Sequence, residues 1–354
     1  MQVNGTRVLT YVDLVKGLDP KGNFDHRCVN LAVRANEMLD DMTVVEANDG
    51  TAMQTTFRTE APKPVWIDFY GGIPSNKGSK AKLKVSCGRM GTKITIDKKM
   101  YDGALGKSQA AADALLADEV QAAQDGMKME MGSTIIYGRI SDNPKAFNGL
   151  FKHYDRYGAD DDTNSAHYVL NAYGCGNGAN KLSDAKLGSM ALVGWGPNTI
   201  TAFHPENHKL GGIEITPKRV VDIADPDAGA DATYEAYLSY MYWTLGLAVR
   251  DFRYGGRICN IQRDDMLNGE DKGAAYIELI DRLSQRVHDS GVKQAWYMDK
   301  LVWENVCTLF SRMTRANAVT FQHVEGRKER RLFGIPVRLQ DAMKVNEEKV
   351  LSIA

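Results

Sequence analysis

The sequence has little cysteine and no paired cysteine motif. Its 354 residues include five cysteines, an odd number, and no two of them form a CxxC pair. Disulfide frameworks and structural zinc sites usually need cysteines in pairs at short spacing. The sequence therefore predicts neither kind of site, and it favours a chain that is made and kept in a reducing compartment.

An excess of charge of one sign is also missing. Lys and Arg number 44 and Asp and Glu number 45, which gives a net charge of −1, while 43% of the residues are hydrophobic. A general nucleic-acid binder usually carries a basic excess, and a disordered chain combines high net charge with few apolar residues. The composition predicts an ordinary folded protein, with about two domains at roughly 150 residues each.

No long hydrophobic run is present. The longest uncharged stretch of hydrophobic character covers residues 236–249, which is shorter than the ~20 residues of a membrane-spanning helix. Residues 1–13 lack a basic segment followed by an apolar one, the pattern of a secretory signal. We therefore expect neither a membrane span nor an exported chain.

Residues 51–80 alternate like a β-hairpin. Thr55, Phe57 and Thr59 alternate with polar neighbours, and a second strand-prone run, Val65–Tyr70, follows Pro62-Lys63-Pro64. Two such runs around a proline-rich turn predict a hairpin. An isolated two-stranded ribbon is marginally stable in water. Since this one has few apolar residues of its own to bury, we expect it to lie on a neighbouring surface.

The other elements are predicted by periodicity. A glycine-punctuated arm of about 25 residues precedes a helix over residues 28–41, and residues 82–97 alternate as one bulged strand or two. Ser108 is the predicted N-cap of a helix of about 25 residues, in which apolar side chains recur every three or four positions. Residues 140–320 predict a mixed domain of short strands followed by two helices.

Three short motifs invite a chemical interpretation, and each departs from the pattern that the chemistry needs. The glycines of residues 174–178 are not followed by a helical pattern, whereas a dinucleotide-binding turn leads directly into a helix. His204 and His208 flank Glu206 at a spacing that fits no zinc protease motif. The acidic residues 160–162 lack the spacing of a calcium loop. Loops and a solvated acidic turn are the favoured interpretations, and no catalytic residue, metal ligand or cofactor site is nominated.

Three strings carry a resemblance to a known family. They are Leu192–Thr199, then Gly246–Tyr254 with Arg257–Ile261, and finally Phe333–Arg338 leading to Asp341 and Ala342. In this order, behind an arm, a hairpin and a long helix, they resemble the major capsid proteins of tailed bacteriophages, which share the Hong Kong 97 fold. The resemblance covers nearly the whole chain.

The resemblance implies an α+β, Hong Kong 97-like capsid fold with four parts. Residues 1–47 would form the N-terminal arm and first helix, and residues 48–81 the extended loop, a β-hairpin that lies over a neighbouring subunit. Residues 82–139 plus 318–354 would form the peripheral domain with its long spine helix. Residues 140–317 would form the axial domain. This layout would account for a hairpin that has no core of its own.

The resemblance also implies a structural function. The chain would self-assemble as hexamers and pentamers into an icosahedral shell that encloses the double-stranded DNA of a phage, without catalysis, cofactor, metal or membrane. It would reside in the virion capsid after being made and assembled in the host cytoplasm. A portal and a separate scaffolding protein are expected, since only about 27 residues precede the first predicted helix, and a decoration protein is an optional partner.

Within the extended loop the resemblance indicates contacts between subunits. The candidate residues are Phe57, Arg58, Glu60, Trp66, Asp68 and Tyr70. A covalent crosslink between Lys and Asn side chains, which the founding member of the family forms, is not carried over, because no lysine here can be aligned with that role.

Two alternatives stay open at this point. An encapsulin-like nanocompartment shell would have the same fold, and enzyme cargo found on purification would favour it. A soluble α/β enzyme would use the loop at Gly174 or the pair His204 and His208, and replacing both histidines by alanine would then remove a bound metal.

Overall fold

The fold is described here from a computed structural model. It describes residues 2–3, 6–7, 36–105, 109–173, 187–206, 212–224, 233–263, 266–267, 270–312, 319–324, 327–344 and 346–353. The predicted arm and the predicted helix over residues 28–41 lie mostly outside this range, as do Ser108 and the glycines of residues 174–178.

Helices and strands are mixed along the chain. The α-helices of the described residues are α1 Met38–Asp41, α2 Lys98–Leu105, α3 Gln109–Tyr137, α4 Leu150–His153, α5 Glu270–Arg286 and α6 Lys300–Arg312. The first strands are β1 Gln2–Val3, β2 Thr6–Arg7, β3 Val44–Glu46, β4 Ala52–Arg58, β5 Lys80–Ser86, β6 Gly88–Asp97, β7 Arg156–Tyr157, β8 Val169–Asn171, β9 Leu187–Trp195 and β10 Ile200–His204. The remaining strands are β11 Glu214–Ile215, β12 Arg219–Ala224, β13 Thr233–Val249, β14 Gly255–Gln262, β15 Lys293–Met298, β16 Val319–Val324, β17 Arg327–Leu332, β18 Ile335–Leu339 and β19 Leu351–Ser352.

Contacts divide the chain into two compact units. The smaller unit takes the described residues within Met1–Arg34, Arg89–Gly132 and Gly212–Thr244, and the larger unit takes Ala35–Gly88, Ser133–Gly211 and Leu245–Ala354. This grouping by contacts differs from the predicted arm, loop, peripheral and axial segments, which stay a prediction. Among the described helices, none combines the length and the apolar character needed to cross a membrane.

The smaller unit is a sheet with helices. Strands β6, β11 and β12 pair with β13, and β12 runs antiparallel to it from Arg219 opposite Leu238 to Ala224 opposite Thr233. Tyr101 of α2 packs on Tyr237 of the sheet with ring centroids 4.7 Å apart. Apolar side chains of α3, including Met127 and Met131, are buried, as the helical period of the sequence predicts.

The larger unit has a central strand that is buried along its whole length. All nine residues of β9 are buried, and β14 and β15 pair with it antiparallel along its two edges. β15 continues the sheet through the parallel strand β18. β10 pairs with the end of β9, with β3 in parallel and with residues 246–249 of β13 in antiparallel.

Close packing requires glycine at Gly246, in one of the strings that carried the resemblance, and at Gly255, just beyond that string. A Cβ at Gly246 would lie 2.5 Å from the ring of Phe203, and one at Gly255 would collide with the hydroxyl of Tyr154. Any larger residue would push an aromatic ring out of the core. The resemblance therefore has a packing reason at Gly246.

A buried ion pair fastens the C-terminal segment to the larger unit. Arg257 Nη2 of β14 lies 2.8 Å from Glu347 Oε2, with both side chains about 95% buried, at 6% and 5% exposure. Ser189 and Tyr137 also donate hydrogen bonds to this carboxylate. Three residues further on, the Val350 backbone N–H donates to Asn260 Oδ1 at 2.8 Å, and β19 then pairs with β7. Residues 90 positions apart are thereby joined in one network.

Most predicted elements of the region 140–317 are confirmed. The predicted strands are present as β8, β9, β10, β12, β13 and β14, and the two predicted helices are α5 and α6. The run at residues 332–339, predicted as strand-like, is two strands joined by a tight turn, where Phe333 and Gly334 have φ of +53° and +81°. Strand β15 was not predicted.

The predicted hairpin is present, but its second strand was wrong. β4 pairs with β5, whereas Val65–Tyr70 forms no strand and lies in the connecting loop together with Pro62 and Pro64. These prolines have no N–H to offer a ladder, so the chain beside them cannot pair as a regular strand. Lys80–Ser86 contains no proline and alternates exposed lysines with partly covered apolar residues.

The first prediction concerns the buried pair. Replacing Glu347 by Ala leaves the Arg257 guanidinium buried without its carboxylate, and we expect the free energy of unfolding of the subunit to fall by roughly 3–5 kcal/mol. Denaturant titration measures this change. Arg253→Ala is the matched control, because its pair with Asp251 is half exposed and should contribute at most about 1 kcal/mol. A loss at Glu347 no larger than that of the control would contradict the assignment.

Candidate assembly surface

The hairpin is part of the larger unit and consists of a two-stranded stem and a tip. β4 and β5 pair antiparallel over seven positions, from Ala52 opposite Ser86 to Arg58 opposite Lys80. Backbone N–H groups of Thr59 and Glu60 extend the ladder by donating to the carbonyl of Ser79 at 3.1 and 3.4 Å. The root is held by Met53, which is buried in a cluster with Ala47, Phe203 and Ala248. Pairing thus ends at Ser79, and residues 61–78 form the tip of the loop.

The tip carries apolar side chains that the described chain leaves half to fully exposed. Six of the twelve exposed large hydrophobic residues of the described chain lie within nine positions, with exposed fractions of Val65 56%, Trp66 102%, Ile67 49%, Phe69 93%, Tyr70 108% and Ile73 81%. A contiguous apolar patch of this kind marks a surface that binds another protein, since a monomer gains nothing from it.

Local hydrogen bonds, rather than a core, shape the tip. The Asp68 carbonyl accepts from the Gly71 N–H at 3.0 Å, and Asp68 Oδ1 accepts from the Phe69 N–H at 2.8 Å. Between them Tyr70 has φ of +66°, which is strained for a bulky side chain. Asn76 Nδ2 donates to the carbonyl of Lys63 across the base of the tip. The bend at Asp68 therefore presents Phe69 and Tyr70 outward.

The six candidate contact residues all lie on this loop. Phe57 is partly buried on the stem, Arg58 and Glu60 are exposed where the stem ends, and Trp66, Asp68 and Tyr70 are exposed in the tip. Their role as contacts between subunits stays a prediction. Sequence reasoning missed Val65, Ile67, Phe69 and Ile73, because it took the apolar run as one half-buried strand. The run of consecutive apolar residues beside two prolines was the signal that no strand could form there.

The histidine and aspartate motifs show local roles. His204 Nδ1 lies 3.0 Å from the carbonyl of Pro205, and Glu206 Oε2 accepts from the Gly50 N–H at 3.2 Å, while His208 lies outside the described residues. Asp161 accepts from the N–H and hydroxyl of Thr163, and these bonds hold the pKa of its carboxyl below the usual range. In the part of the chain that is described, no three side chains of His, Cys, Asp or Glu come together as a metal site.

Two of the three described thiols, those of Cys87 and Cys259, are poor nucleophiles. Burial raises the pKa of Cys87 to about 11 and that of Cys259 to about 12. Since the thiolate is the reactive form, both groups are neutral and weakly reactive near pH 7. The chemistry of these side chains gives no support to covalent catalysis at either position.

Two of three comparisons with known proteins found a match. A family model described as Major capsid protein GP7 matches residues 19–351. A chain in the structure of bacteriophage epsilon15 is similar with a TM-score of 0.73 and 22% identity, over 100% of this chain and 100% of that one. The search of curated proteins found no match.

Two further structures resemble the chain more weakly. The capsid of bacteriophage JBD30 matches with a TM-score of 0.49 and 10% identity, over 95% of this chain and 99% of that one. The SrpI encapsulin of Synechococcus elongatus matches with a TM-score of 0.40 and 9% identity, over 72% of this chain and 97% of that one. Both scores are too low to carry an argument, so the fold rests on the epsilon15 similarity.

The second prediction uses the tryptophans. Of the five in the chain, Trp66 is fully exposed, and Trp195, Trp243, Trp296 and Trp303 are buried. We expect acrylamide to quench one fraction of the subunit's tryptophan fluorescence strongly, and Trp66→Phe to remove that fraction because the other four are shielded. Stern–Volmer quenching measures it, with Trp303→Phe as control. If the Trp66 variant were quenched as much as the wild type, the tip would be covered by its own chain.

Proposed function

The chain belongs to the family of the major capsid protein GP7, and on that premise we propose that its copies assemble as hexamers and pentamers into an icosahedral shell that encloses DNA. The family establishes the capsid role, and the similarity to the epsilon15 structure shows the Hong Kong 97-like fold. The capsomer types and the DNA content are the finer part of the proposal.

One observation carries the proposed mode of assembly, namely the uncovered tip of the extended loop. A side chain such as Phe69 or Ile73 gains roughly 1.5–3 kcal/mol when it leaves water for an apolar site. The subunit holds these side chains in water at the end of a paired stem, so a surface of another chain can cover them without unfolding anything. In a shell of identical copies, there are as many surfaces that can cover a tip as there are loops. Phe57, Arg58, Glu60, Trp66, Asp68 and Tyr70 are the proposed contacts.

The charge balance supports dense packing. With 44 basic and 45 acidic residues, the chain carries many charges and a net charge of −1. A large net charge on each copy would oppose assembly by self-repulsion. Neighbouring copies can instead present complementary patches while the whole shell stays nearly neutral. A nearly neutral inner surface would also hold packaged DNA weakly.

The remaining parts of the proposal rest on the family alone. We propose that a scaffolding protein and a portal take part in assembly in the host cytoplasm, that a decoration protein is optional, and that the chain catalyses no reaction. An encapsulin-like compartment would share the fold and would be recognised by enzyme cargo that copurifies with the shells.

The third prediction tests the loop. Replacing residues 61–77 by a short Gly-Ser linker keeps the stem and the pairing of Thr59 with Ser79, so we expect a folded subunit with nearly wild-type thermal stability. We also expect it to form no stable shells, because the apolar tip is gone. Circular dichroism and sedimentation velocity measure the two outcomes.

Two further variants make this test specific. Replacing Trp66, Phe69 and Tyr70 together by Ser keeps the length of the loop and should also prevent shell formation. Leu301→Ala removes an exposed apolar side chain from α6 and should assemble like the wild type. Shells of normal stability from the shortened chain would contradict the proposed mode of assembly. Unfolding of the shortened subunit at modest temperature would contradict it as well, because the tip would then belong to the subunit's own core.

A further inference from the structure

A groove lies beside the stem of the extended loop, within the larger unit. It has a volume of about 900 Å³. Residues 55–59 and Leu83 of the stem line it together with His153, Asp162, Thr163, Ser165, Asn198 and residues 249–253. This groove is separate from the apolar tip, which comprises residues 61–78.

Arg250 lines the groove without a counter-ion. Its backbone N–H donates to the carbonyl of Thr199 at 2.8 Å, which fixes the residue at the end of β13. Its side chain reaches back to the root of the stem, where Nη2 lies 3.1 Å from Met53 Sδ, a weak acceptor. Its Nε is buried and has no hydrogen-bond partner, and no carboxylate among the described residues pairs with the guanidinium. A guanidinium in this position has lost part of its hydration, and no anion compensates the free-energy cost of that loss.

A second unsatisfied nitrogen lines the same groove. His153 Nε2 is buried and has no partner among the described residues. Burial and the neighbouring Lys152 lower the pKa of this imidazole, so the ring is neutral near pH 7. A neutral imidazole has one N–H and one unprotonated nitrogen, so Nε2 lacks a partner in either tautomer. The lining of the groove therefore contains two buried nitrogens that the described chain leaves unsatisfied.

The other charged residues of the lining add to a positive balance. Arg58 is exposed on the stem and forms no ion pair with any described residue, whereas Arg253 is paired with Asp251, with Nη2 2.7 Å from Oδ2. Asp162 is the remaining carboxylate of the lining. Since Asp251 is engaged with Arg253, Arg58 and Arg250 face one available carboxylate, and that one is not paired with either.

We propose that this groove receives a carboxylate side chain from a second copy of the chain, which pairs with Arg250 and is also bound by Arg58. A guanidinium binds a carboxylate through two parallel N–H···O bonds, which is the contact that Arg250 lacks. A second copy is the favoured source because a capsid subunit is surrounded by copies of itself, each with 45 acidic residues. The inference rests on the proposed function and adds a polar contact at the root of the loop to the apolar contact at its tip.

The proposal predicts effects of opposite sign on the subunit and on the shell. Arg250→Met removes an unpaired charge and keeps an unbranched side chain beside Met53. The isolated subunit should therefore be as resistant to denaturant as the wild type, or more so. Shells should be weaker, with the concentration of free subunit at equilibrium raised at least about tenfold, because the partner's carboxylate is left without its cation. Denaturant titration and sedimentation of assembly reactions measure the two effects.

Crosslinking identifies the source of the carboxylate. Arg250→Lys and Arg58→Lys place an amine in the groove, which a carbodiimide couples to a carboxylate in contact with it. Shells made from mixed light and isotopically heavy chains should give a mixed-mass crosslink from position 250 or 58 to an Asp or Glu peptide. Arg253→Lys is the control, and it should couple to Asp251 of its own chain in subunit and shell alike.

The outcomes separate this inference from the proposed function. Wild-type chains that form no shells would overturn both. Wild-type shells with Arg250→Met shells of equal stability would overturn this inference alone, and so would a crosslink confined to one chain. A less stable Arg250→Met subunit would overturn it as well, because the guanidinium would then serve the subunit's own core.

Discussion

Six large apolar side chains between Val65 and Ile73 are exposed to water in the subunit. The rest of the molecule depends on this constraint. The chain holds them beyond a seven-residue ladder, and the tip is bent by hydrogen bonds at Asp68 rather than by packing. No surface within the described part of the larger unit covers them. The apolar tip is covered only when the surface of another chain contacts it, and a major capsid protein contacts copies of itself.

The larger unit is built to hold that loop firmly. Met53 buries the root of the stem in a small core with Phe203, and β9 is buried along its whole length at the centre of the sheet. Arg257 and Glu347 fasten the last segment of the chain through a buried ion pair. Removing either partner would leave an uncompensated buried charge, so each of the two residues depends on the other. The paired charges of the interior, the uncovered loop and the unpaired Arg250 fit a subunit that keeps its remaining contacts for assembly.

Much of the fold was predictable from local patterns, and the site only in part. Helical spacing predicted α3 through Met127 and Met131, and short runs of strand-forming residues predicted most strands of the larger unit. The hairpin was predicted with the wrong partner, because the true one lies beyond a long loop and its alternation is carried by lysines. Arg257 and Glu347 are 90 residues apart, so no periodicity could join them. Trp66 and Tyr70 were nominated by resemblance, whereas their full exposure and the unpaired Arg250 follow only from the tertiary structure.

The most direct test of the account is the structure of the assembled shell at side-chain resolution by electron cryomicroscopy. The account predicts that the side chains of Trp66, Phe69 and Tyr70 are covered by a neighbouring copy in every capsomer, while the stem keeps its pairing from Ala52 to Arg58. A shell in which these side chains face solvent, or fold back onto their own chain, would contradict the claim that the loop is completed by assembly.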